Sequence, residues 1–260
     1  MERILKYYMF DWDDNILHMP TKIHMIHNGV PQTILPGLFA KIRKDSGWTQ
    51  DNDAFIEFRD NGPRGNWGFI DDIQDSIQNK SYGPCWNSFI SAIVEGEIVI
   101  IITARGHAQK TLRSGVKYII ENCLSPEDKL KMSYNIVYLL GLFKDDKYPL
   151  DCLVDRYLDY CMFMGVYSDD FEETFGIRVP SNNPELAKEM IADYYLKIIN
   201  KTNKKLGYSF TIGMSDDDKG NVQQIKMFFK RSNYSNAVGM YVYDTSNPKK
   251  IIKTEIKNLS

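Results

Sequence analysis

Short, nearly continuous apolar runs predict strands that are buried on both faces. Such runs cover Ile4–Phe10, Glu97–Ile102, the stretch from Tyr208 to Ser215, and Ala237–Tyr243. Continuous rather than alternating apolar residues are typical of the inner strands of a parallel sheet, where helices cover both faces. The pattern therefore predicts a sheet whose strands come from distant parts of the chain.

Helical segments are predicted between these strands. Pro84–Glu95 and Pro184–Asn200 are amphipathic, and Asn183 provides a cap before the second of them. Ala108–Glu121 and Asn221–Lys230 are also predicted to be helices. Strands that alternate with helices and are joined by right-handed crossovers predict an α/β fold.

Two segments do not follow this alternation. Residues 16–80 are rich in Pro and Gly, which mark turns and loops, with short regular pieces at Leu38–Ile42 and Ala54–Phe58. Residues 125–180 are either an accessory element or an elaborated part of the core. The elements predicted in that second segment are helices over Pro126–Leu142 and Leu150–Tyr160 and strands over Cys161–Tyr167 and Phe175–Val179. The last residues, 247–260, form either an edge strand or a basic tail.

Polar residues follow three of the apolar strands at the point where each strand ends. These residues are Asp11, Asp13 and Asp14 after the first strand, Thr103 and Arg105 after the second, and Ser215, Asp216, Asp217 and Asp218 after the third. Carboxylates crowded beside a buried strand repel one another unless a cation neutralises them. A hard divalent cation such as Mg²⁺ suits an oxygen-only set of ligands. The alternative is a set of acidic turns in solvent.

The order of these three motifs resembles that of the haloacid dehalogenase (HAD) superfamily, most of whose members are Mg²⁺-dependent phosphohydrolases. The resemblance implies a Rossmann-like three-layer α/β/α sandwich around a central parallel sheet. It also implies a cap inserted between the first and second motifs. On this basis residues 1–17 and 81–260 would form the core, and residues 18–80 the cap.

The same resemblance implies roles for the acidic residues. Asp11 would attack phosphorus and form an aspartyl-phosphate, and Asp13 would act as general acid and then as base. Mg²⁺ would be bound by Asp11, by the backbone carbonyl of Asp13, and by Asp216 with Asp217. Which of these last two contacts the metal directly is left open. Asp14 would be a turn residue.

The remaining site residues follow from the resemblance and from residue chemistry. Thr103 would bind a phosphoryl oxygen, and Lys188 would offset the negative charge of nucleophile and phosphate. The alternative for Lys188 is a solvated lysine on the helix surface, with Lys197, Lys201, Lys204 and Lys205 as competing candidates. Arg105, Arg59 and Arg64 are candidate substrate contacts, because an arginine fork binds phosphate oxygens in pairs. The alternative for Arg59 and Arg64 is that both are surface residues in a turn.

Composition limits the class of protein. A chain of 260 residues with 43% hydrophobic and 25% charged residues suits one α/β domain with an insertion. Its net charge of −2 gives no support to a general polyanion binder. No apolar run approaches the roughly 20 residues that span a bilayer. We find no signal peptide and expect a cytoplasmic protein without a membrane partner.

Cysteine and histidine do not indicate a further metal site. Cys85, Cys123, Cys152 and Cys161 lack the CxxC spacing of zinc sites and are expected to be reduced thiols. The histidines His18, His24 and His27 share no helix face and have no cysteine nearby. Oxygen ligands therefore remain the main candidates for metal binding.

Three functions remain open on these grounds. The first is a Mg²⁺-dependent phosphatase that acts on a small phosphorylated substrate. The second is a catalytically silent relative that only binds a phosphorylated ligand. The third is a protein that processes nucleic-acid ends, with a groove supplied by Arg59, Arg64, Trp48 and Trp67. An acid at Asp13, two residues after the nucleophile, favours catalysis over binding alone.

Overall fold

A six-stranded, mostly parallel sheet forms the centre of the described part of the chain. The structure is a computed structural model, which describes residues 4–43, 45–142, 152–179 and 184–256. The strands in chain order are β1 (Ile4–Phe10), β2 (Ile23–His27), β3 (Val30–Ile34), β4 (Trp48–Gln50), β5 (Ile98–Thr103), β6 (Met162–Gly165), β7 (Ser209–Asp216), β8 (Ala237–Asp244) and β9 (Ile252–Ile256). Their order in the central sheet is β6-β5-β1-β7-β8-β9.

Strand β1 occupies an inner position, between β5 and β7, and is parallel to both. Phe10 at its end pairs with Ile101 on one side and with Ser215 on the other. Every residue of β5 is buried, which agrees with its unbroken apolar sequence. Only β9 runs antiparallel, at the edge beside β8, so the end of the chain adds an edge strand.

Helices flank this sheet. They are α1 (Pro36–Ile42), α2 (Trp67–Gln78), α3 (Trp86–Val94), α4 (Gln109–Cys123), α5 (Pro126–Leu142), α6 (Leu153–Tyr160), α7 (Asp169–Phe175), α8 (Pro184–Leu206) and α9 (Lys219–Arg231), with a 3-10 turn at Ile56–Phe58. The helices predicted at α3, α4, α5, α8 and α9 are confirmed, as is the α/β architecture, which is compatible with a Rossmann-like fold. The predicted cap at Asn183 lies outside the described residues.

A second, small sheet lies within residues 18–80. Strands β3, β2 and β4 form it in that order, all antiparallel. A separate cluster of five buried residues supports it: Ile23, Met25, Ile34, Ala54 and Phe58. A hairpin sheet of this size needs packing against other elements to be stable.

Helix α2 lies within the same predicted insertion but packs on the main core. Its residues Phe69 and Ile73 are fully buried in the main cluster. Both lie so close to Gly115 of α4 that a Cβ there would meet them at 2.6 and 2.7 Å. The insertion therefore divides into a small sheet with its own cluster and a helix that belongs to the core.

Residues 125–180 are also largely part of the core. Strand β6 pairs with β5, and α5 and α6 pack against each other. The predicted strand over Phe175–Val179 is wrong, because Phe175 ends helix α7. Ser168 caps that helix by accepting from the Phe171 amide, and acidic residues fill its first turn, both of which favour a helix there. The predicted start of α6 at Leu150 lies outside the described residues.

In the ranges that the structure describes, no helix combines the length and the apolar character needed to cross a membrane. The four cysteines are free thiols, as expected.

Candidate active site

The polar ends of β1, β5 and β7 lie at the same edge of the central sheet. Because these strands are parallel neighbours, Asp11, Thr103 and Asp216 all emerge at their carboxyl ends. The Asp11 amide donates to the Ser215 carbonyl at 3.1 Å, which brings the first and third motifs into direct contact. Thr103 is buried, and its hydroxyl accepts from the Arg105 amide at 3.4 Å.

Three carboxylates form a cluster at this edge. One oxygen each from Asp11, Asp216 and Asp217 lies within 4.8 Å of the others. Lys188 extends from α8 into the cluster, with its Nζ 2.9 Å from Asp11 Oδ1 and 2.7 Å from Asp216 Oδ2. Its side chain is only 2% exposed, so the ammonium group is committed to these two acids. The structure thus brings Lys188 to the position expected of it.

The charges of the cluster are not balanced within the protein. Burial raises the pKa of Asp11 and of Asp217, and repulsion among the three carboxylates raises both further. Burial alone would lower the pKa of Lys188, but the neighbouring Asp11 and Asp216 raise it above its usual value. When all three acids are ionised, one ammonium leaves two negative charges uncompensated.

A divalent cation fits this donor set. Its ligands would all be oxygens, and its two positive charges would match the charge left over. Asp216 is already engaged, because its Oδ1 accepts from the Asp218 amide and from Asn221 Nδ2, both at 2.9 Å. Asp217 receives no hydrogen bond from the described residues, and the buried Asn221 Oδ1 has no partner there either. The oxygens with free capacity are therefore those of Asp217 and Asn221, beside Asp11.

A tight turn after β1 fixes the first motif. Asp14 adopts a left-handed conformation with φ 56°, which Asp tolerates better than most residues, and its Oδ1 lies 2.6 Å from His18 Nδ1. The buried Asn15 amide donates to the Asp11 carbonyl at 3.0 Å and to Ser215 Oγ at 2.9 Å. It also accepts from Thr245 Oγ1 at 2.8 Å. Asn15 thus joins the ends of β1, β7 and β8.

Arg105 pairs with Asp13 and does not line the cavity that borders the carboxylate cluster. Its Nε is 2.8 Å from Asp13 Oδ2 and its Nη2 is 2.6 Å from Asp13 Oδ1, and the residue is fully buried. Its guanidinium group lies 4.6 Å from the Phe58 ring and 5.1 Å from the Phe69 ring, and it also donates to Thr21 Oγ1 at 2.8 Å. These contacts orient Asp13, and the predicted substrate contact at Arg105 stays a prediction. The expected metal contact of Asp13, through its backbone carbonyl, stays a prediction.

The two arginines of the insertion lie outside the carboxylate cluster. Arg64 donates to Asp72 Oδ1 at 2.7 Å and does not line the cavity beside the acids, and its predicted substrate contact stays a prediction. Arg59 is exposed and borders a side space of about 40 Å³ and a separate cavity of about 310 Å³, but not the cavity beside the acids. Trp48 stacks on His27 at 4.3 Å between ring centroids, and Trp67 is 71% exposed. These four residues therefore do not form a groove for nucleic acid around the acids.

A cavity of about 440 Å³ separates the carboxylate edge from the small sheet. Its lining includes Asp11, Asp13, Asp217 and Lys188 from the core. From the other side it is lined by residues that the sequence analysis did not select, namely Phe39, Arg43, Gln50, Phe55 and Phe58, and Tyr167 adds a further unselected residue from the core. The sequence does not predict that these residues line one cavity, because they lie on separate elements that only the fold brings together.

Arg43 is the most informative of these missed residues. It follows α1 and reaches the core, with its Nη2 2.8 Å from Asp218 Oδ2 and 3.7 Å from Glu185 Oε1. The arginine therefore links the small-sheet segment to the first turns of α8 and α9. A basic residue at a helix end is common, so the sequence alone gave no reason to choose it.

Comparisons of this chain with models of protein families, with curated proteins and with solved structures find no match. The chemistry of the site is therefore argued from its own geometry.

Proposed function

We propose that this chain is a Mg²⁺-dependent phosphomonoester hydrolase of the HAD type. The observation that carries the proposal is the buried cluster of Asp11, Asp216 and Asp217 with Lys188 between two of its members. A purely structural turn would not place three acids and a lysine in a cleft at the carboxyl edge of a parallel sheet. The proposal also makes the small sheet the cap over this edge.

In the first half of the reaction, a carboxylate oxygen of Asp11 attacks phosphorus. The bond between phosphorus and the ester oxygen breaks, and Asp13 donates a proton to that oxygen as the alcohol leaves. Lys188 offsets the negative charge of the nucleophile and of the phosphoryl group. Thr103 and the backbone amides that follow it bind phosphoryl oxygens.

In the second half, Asp13 accepts a proton from water, and the water oxygen attacks the same phosphorus. The bond to Asp11 breaks, inorganic phosphate leaves, and the carboxylate of Asp11 is restored. Arg105 holds both oxygens of Asp13, so it fixes the direction of this carboxyl. Each proton transfer through Asp13 requires one of these two bonds to be given up.

Asp11, Asp217, the backbone carbonyl of Asp13 and Asp216 would hold the proposed Mg²⁺, which would supply positive charge for the phosphoryl oxygens. Asp216 also positions the side chains of Lys188 and Asn221 through its hydrogen bonds. The sequence leaves open whether Asp216 or Asp217 contacts the metal directly. The hydrogen bonds of Asp216 favour Asp217, whose carboxylate oxygens have more capacity for a metal.

The test is phosphate release from a generic aryl phosphate by the purified chain with and without Mg²⁺. We expect turnover with Mg²⁺, loss on chelation, and loss in Asp11→Asn, because an amide cannot form the phosphoenzyme. Asp14→Asn is the matched control, since it makes the same change three residues away at a position where Asn also tolerates positive φ. Turnover that survives Asp11→Asn, or no turnover on a broad panel of phosphomonoesters, would refute the proposal.

A further inference from the structure

The cavity has two chemically different sides. The core side carries the catalytic carboxylates and Lys188, whereas the side formed mainly by the small-sheet segment carries aromatic rings. Phe39 and Phe55 meet edge to face at 5.2 Å between ring centroids, and Phe55 and Phe58 do so at 5.7 Å. Tyr167 lines the same space from the core. The rings form a wall opposite the acids, which we call the aromatic wall (Phe39, Phe55, Phe58 and Tyr167).

The cations that line this cavity are already paired. Lys188 contacts Asp11 and Asp216, and Arg43 contacts Asp218 and Glu185. Within the described residues, the cavity lining thus offers no unpaired positive charge for a second anionic group. A substrate with a carboxylate or a second phosphate would meet acids instead.

Arg59, whose side chain has no partner among the described residues, lies outside this cavity lining. It borders a side space of about 40 Å³, which is lined by Phe55 and Phe58 as well, and a separate cavity of about 310 Å³, which it shares with Arg178. A water molecule needs roughly 10–15 Å³. The 40 Å³ side space, which lies beside the aromatic wall, therefore accepts a few waters and no phosphate group.

We propose that the cavity selects phosphomonoesters whose leaving group carries an uncharged, planar aromatic ring that packs on the aromatic wall. The inference rests on the proposed function, since the wall faces the nucleophile of that reaction. Flat rings stack favourably on aromatic side chains, whatever their hydrogen-bonding pattern. Gln50 from β4 also lines the cavity and offers an amide donor and acceptor to the edge of a heterocycle. The ring could come from a nucleobase or from a phenyl group.

Matched substrate pairs test the inference, because leaving-group chemistry would otherwise dominate the rates. Adenosine 5′-monophosphate and ribose 5-phosphate both release a ribose 5-hydroxyl group, which is a primary alcohol, but only the first carries a base. Benzyl phosphate and cyclohexylmethyl phosphate have similar shapes but differ in aromaticity. We expect kcat/KM to favour the aromatic member by about 10-fold, which is in the range of stacking on one ring.

The outcome of the two pairs separates the sources of the ring. A preference in both pairs supports a wall that accepts any flat ring. A preference only for the nucleotide supports a nucleobase held also by Gln50, and a preference only for benzyl phosphate supports a phenyl ring. Equal rates within both pairs would overturn the inference while leaving the phosphatase intact.

Variants locate the effect on the wall. In Phe55→Leu the ratio between the two members of a favoured pair should fall toward one. Trp48→Leu is the control, because Trp48 lies in the same small sheet and stacks on His27 outside the cavity lining. If Trp48→Leu lowered the ratio as much as Phe55→Leu, general loosening of the small sheet would explain the effect and the wall would be refuted.

Binding without turnover separates this inference from the proposed function. Calorimetric titration of Asp11→Asn with both members of each pair, in the presence of Mg²⁺, should give a Kd about 10-fold lower for the aromatic member of a favoured pair. If the wild-type chain turns over no member of a broad panel of phosphomonoesters but this Kd ratio holds, the hydrolase proposal fails and the binding preference stands. Equal Kd values within both pairs would overturn the preference whatever the activity.

Discussion

The central sheet and the small sheet of this molecule differ in how firmly they are held. Strand β5 has no exposed residue, whereas four of the five residues of β3 are exposed. The small sheet has its own buried cluster of only five residues. Local stability follows buried apolar contacts, so the clustered acids stand on the rigid part and the aromatic wall stands mostly on the less stable part.

Polar contacts compensate for this weakness at several points. The Gly106 amide donates to the Phe58 carbonyl at 2.9 Å, and the Ala108 amide donates to Asp60 Oδ2 at 2.8 Å. With the ion pair of Arg43, these contacts tie the segment that carries the wall to loops of the core. The carboxylate cluster and the aromatic wall therefore stand on elements of unequal stability, which separate experiments can perturb.

The largest expected effect comes from the core. Lys188→Met removes the cation between Asp11 and Asp216, and we expect kcat/KM to fall by about 10²–10³-fold, as for the loss of one oriented donor. Steady-state kinetics on an aryl phosphate measures this. Lys197→Met on the same helix is the control, since the side chain of Lys197 is 68% exposed and, among the described residues, pairs with Asp193 alone. Equal effects of the two changes would contradict the role of Lys188.

A matched pair of core truncations compares the two sheets directly. Ile100 in β5 and Ile23 in β2 are both buried. Ile100→Ala should lower the global free energy of unfolding by about 2–5 kcal/mol, as measured by urea denaturation. Ile23→Ala should mainly accelerate hydrogen exchange in β2, β3 and β4 and leave exchange in the central sheet near its wild-type rate. Equal exchange changes in both sheets would show that the small sheet is not a separate unit.

The pH dependence of stability probes a buried group of the core. Burial, together with the charge of Arg105, lowers the pKa of His107 from 6.5 to about 2. Below pH 6.5 the unfolded chain binds a proton that the folded chain does not, so stability is lost as pH falls from 6.5 toward 2. The loss is about 1.4 kcal/mol per pH unit, or roughly 2 kcal/mol between pH 6.5 and 5.

Urea denaturation of wild type and His107→Gln at several pH values, with Mg²⁺ present, measures this loss as a difference in slope. His18→Gln is a control of opposite sign. The hydrogen bond with Asp14 raises the pKa of His18, so its contribution is present at low pH and disappears as pH rises. A slope that is unchanged in His107→Gln would show that His107 is protonated or solvated in the folded protein.

The smallest expected effect concerns the link between the two regions. Arg43→Gln breaks a half-buried ion pair with Asp218, and such pairs contribute about 0.2–1 kcal/mol. We expect little change in global unfolding but faster hydrogen exchange in the small sheet, with a larger difference at low salt. Arg178→Gln is the control, because it breaks an exposed ion pair with Glu172 of α7, outside the small sheet. It should leave hydrogen exchange in the small sheet unchanged.

The sequence was most informative where structure depends on local pattern. The apolar runs of β1, β5 and β7 and the helix over Pro126–Leu142 were predicted close to their observed bounds, because burial and periodicity are written in consecutive residues. The position of Lys188 followed from the resemblance and from the start of α8. Its observed contact with the cluster required only that α8 return to the carboxyl edge of the sheet.

The remaining features depend on contacts between distant residues, which a single sequence does not specify. Asp13 and Arg105 are 92 positions apart, and neither residue indicates the other as its partner. Arg43 and Asp218 are 175 positions apart. Helix α2 was assigned to the insertion because of its position in the chain, although its apolar face packs on α4. Amphipathicity predicts that a face is buried without indicating which element covers it.

The hydrogen bonds of Asn15 have a consequence for synthesis on the ribosome. This amide joins residues 200 and 230 positions later in the chain, Ser215 and Thr245. Strand β1 is translated before its neighbours β5 and β7, which follow it by about 90 and 200 residues. We expect an apolar strand that precedes its partners by this distance to be bound by chaperones. The carboxylate edge can assemble only when nearly the whole described chain has been translated, so a truncated nascent chain carries Asp11 without Asp216 and Asp217.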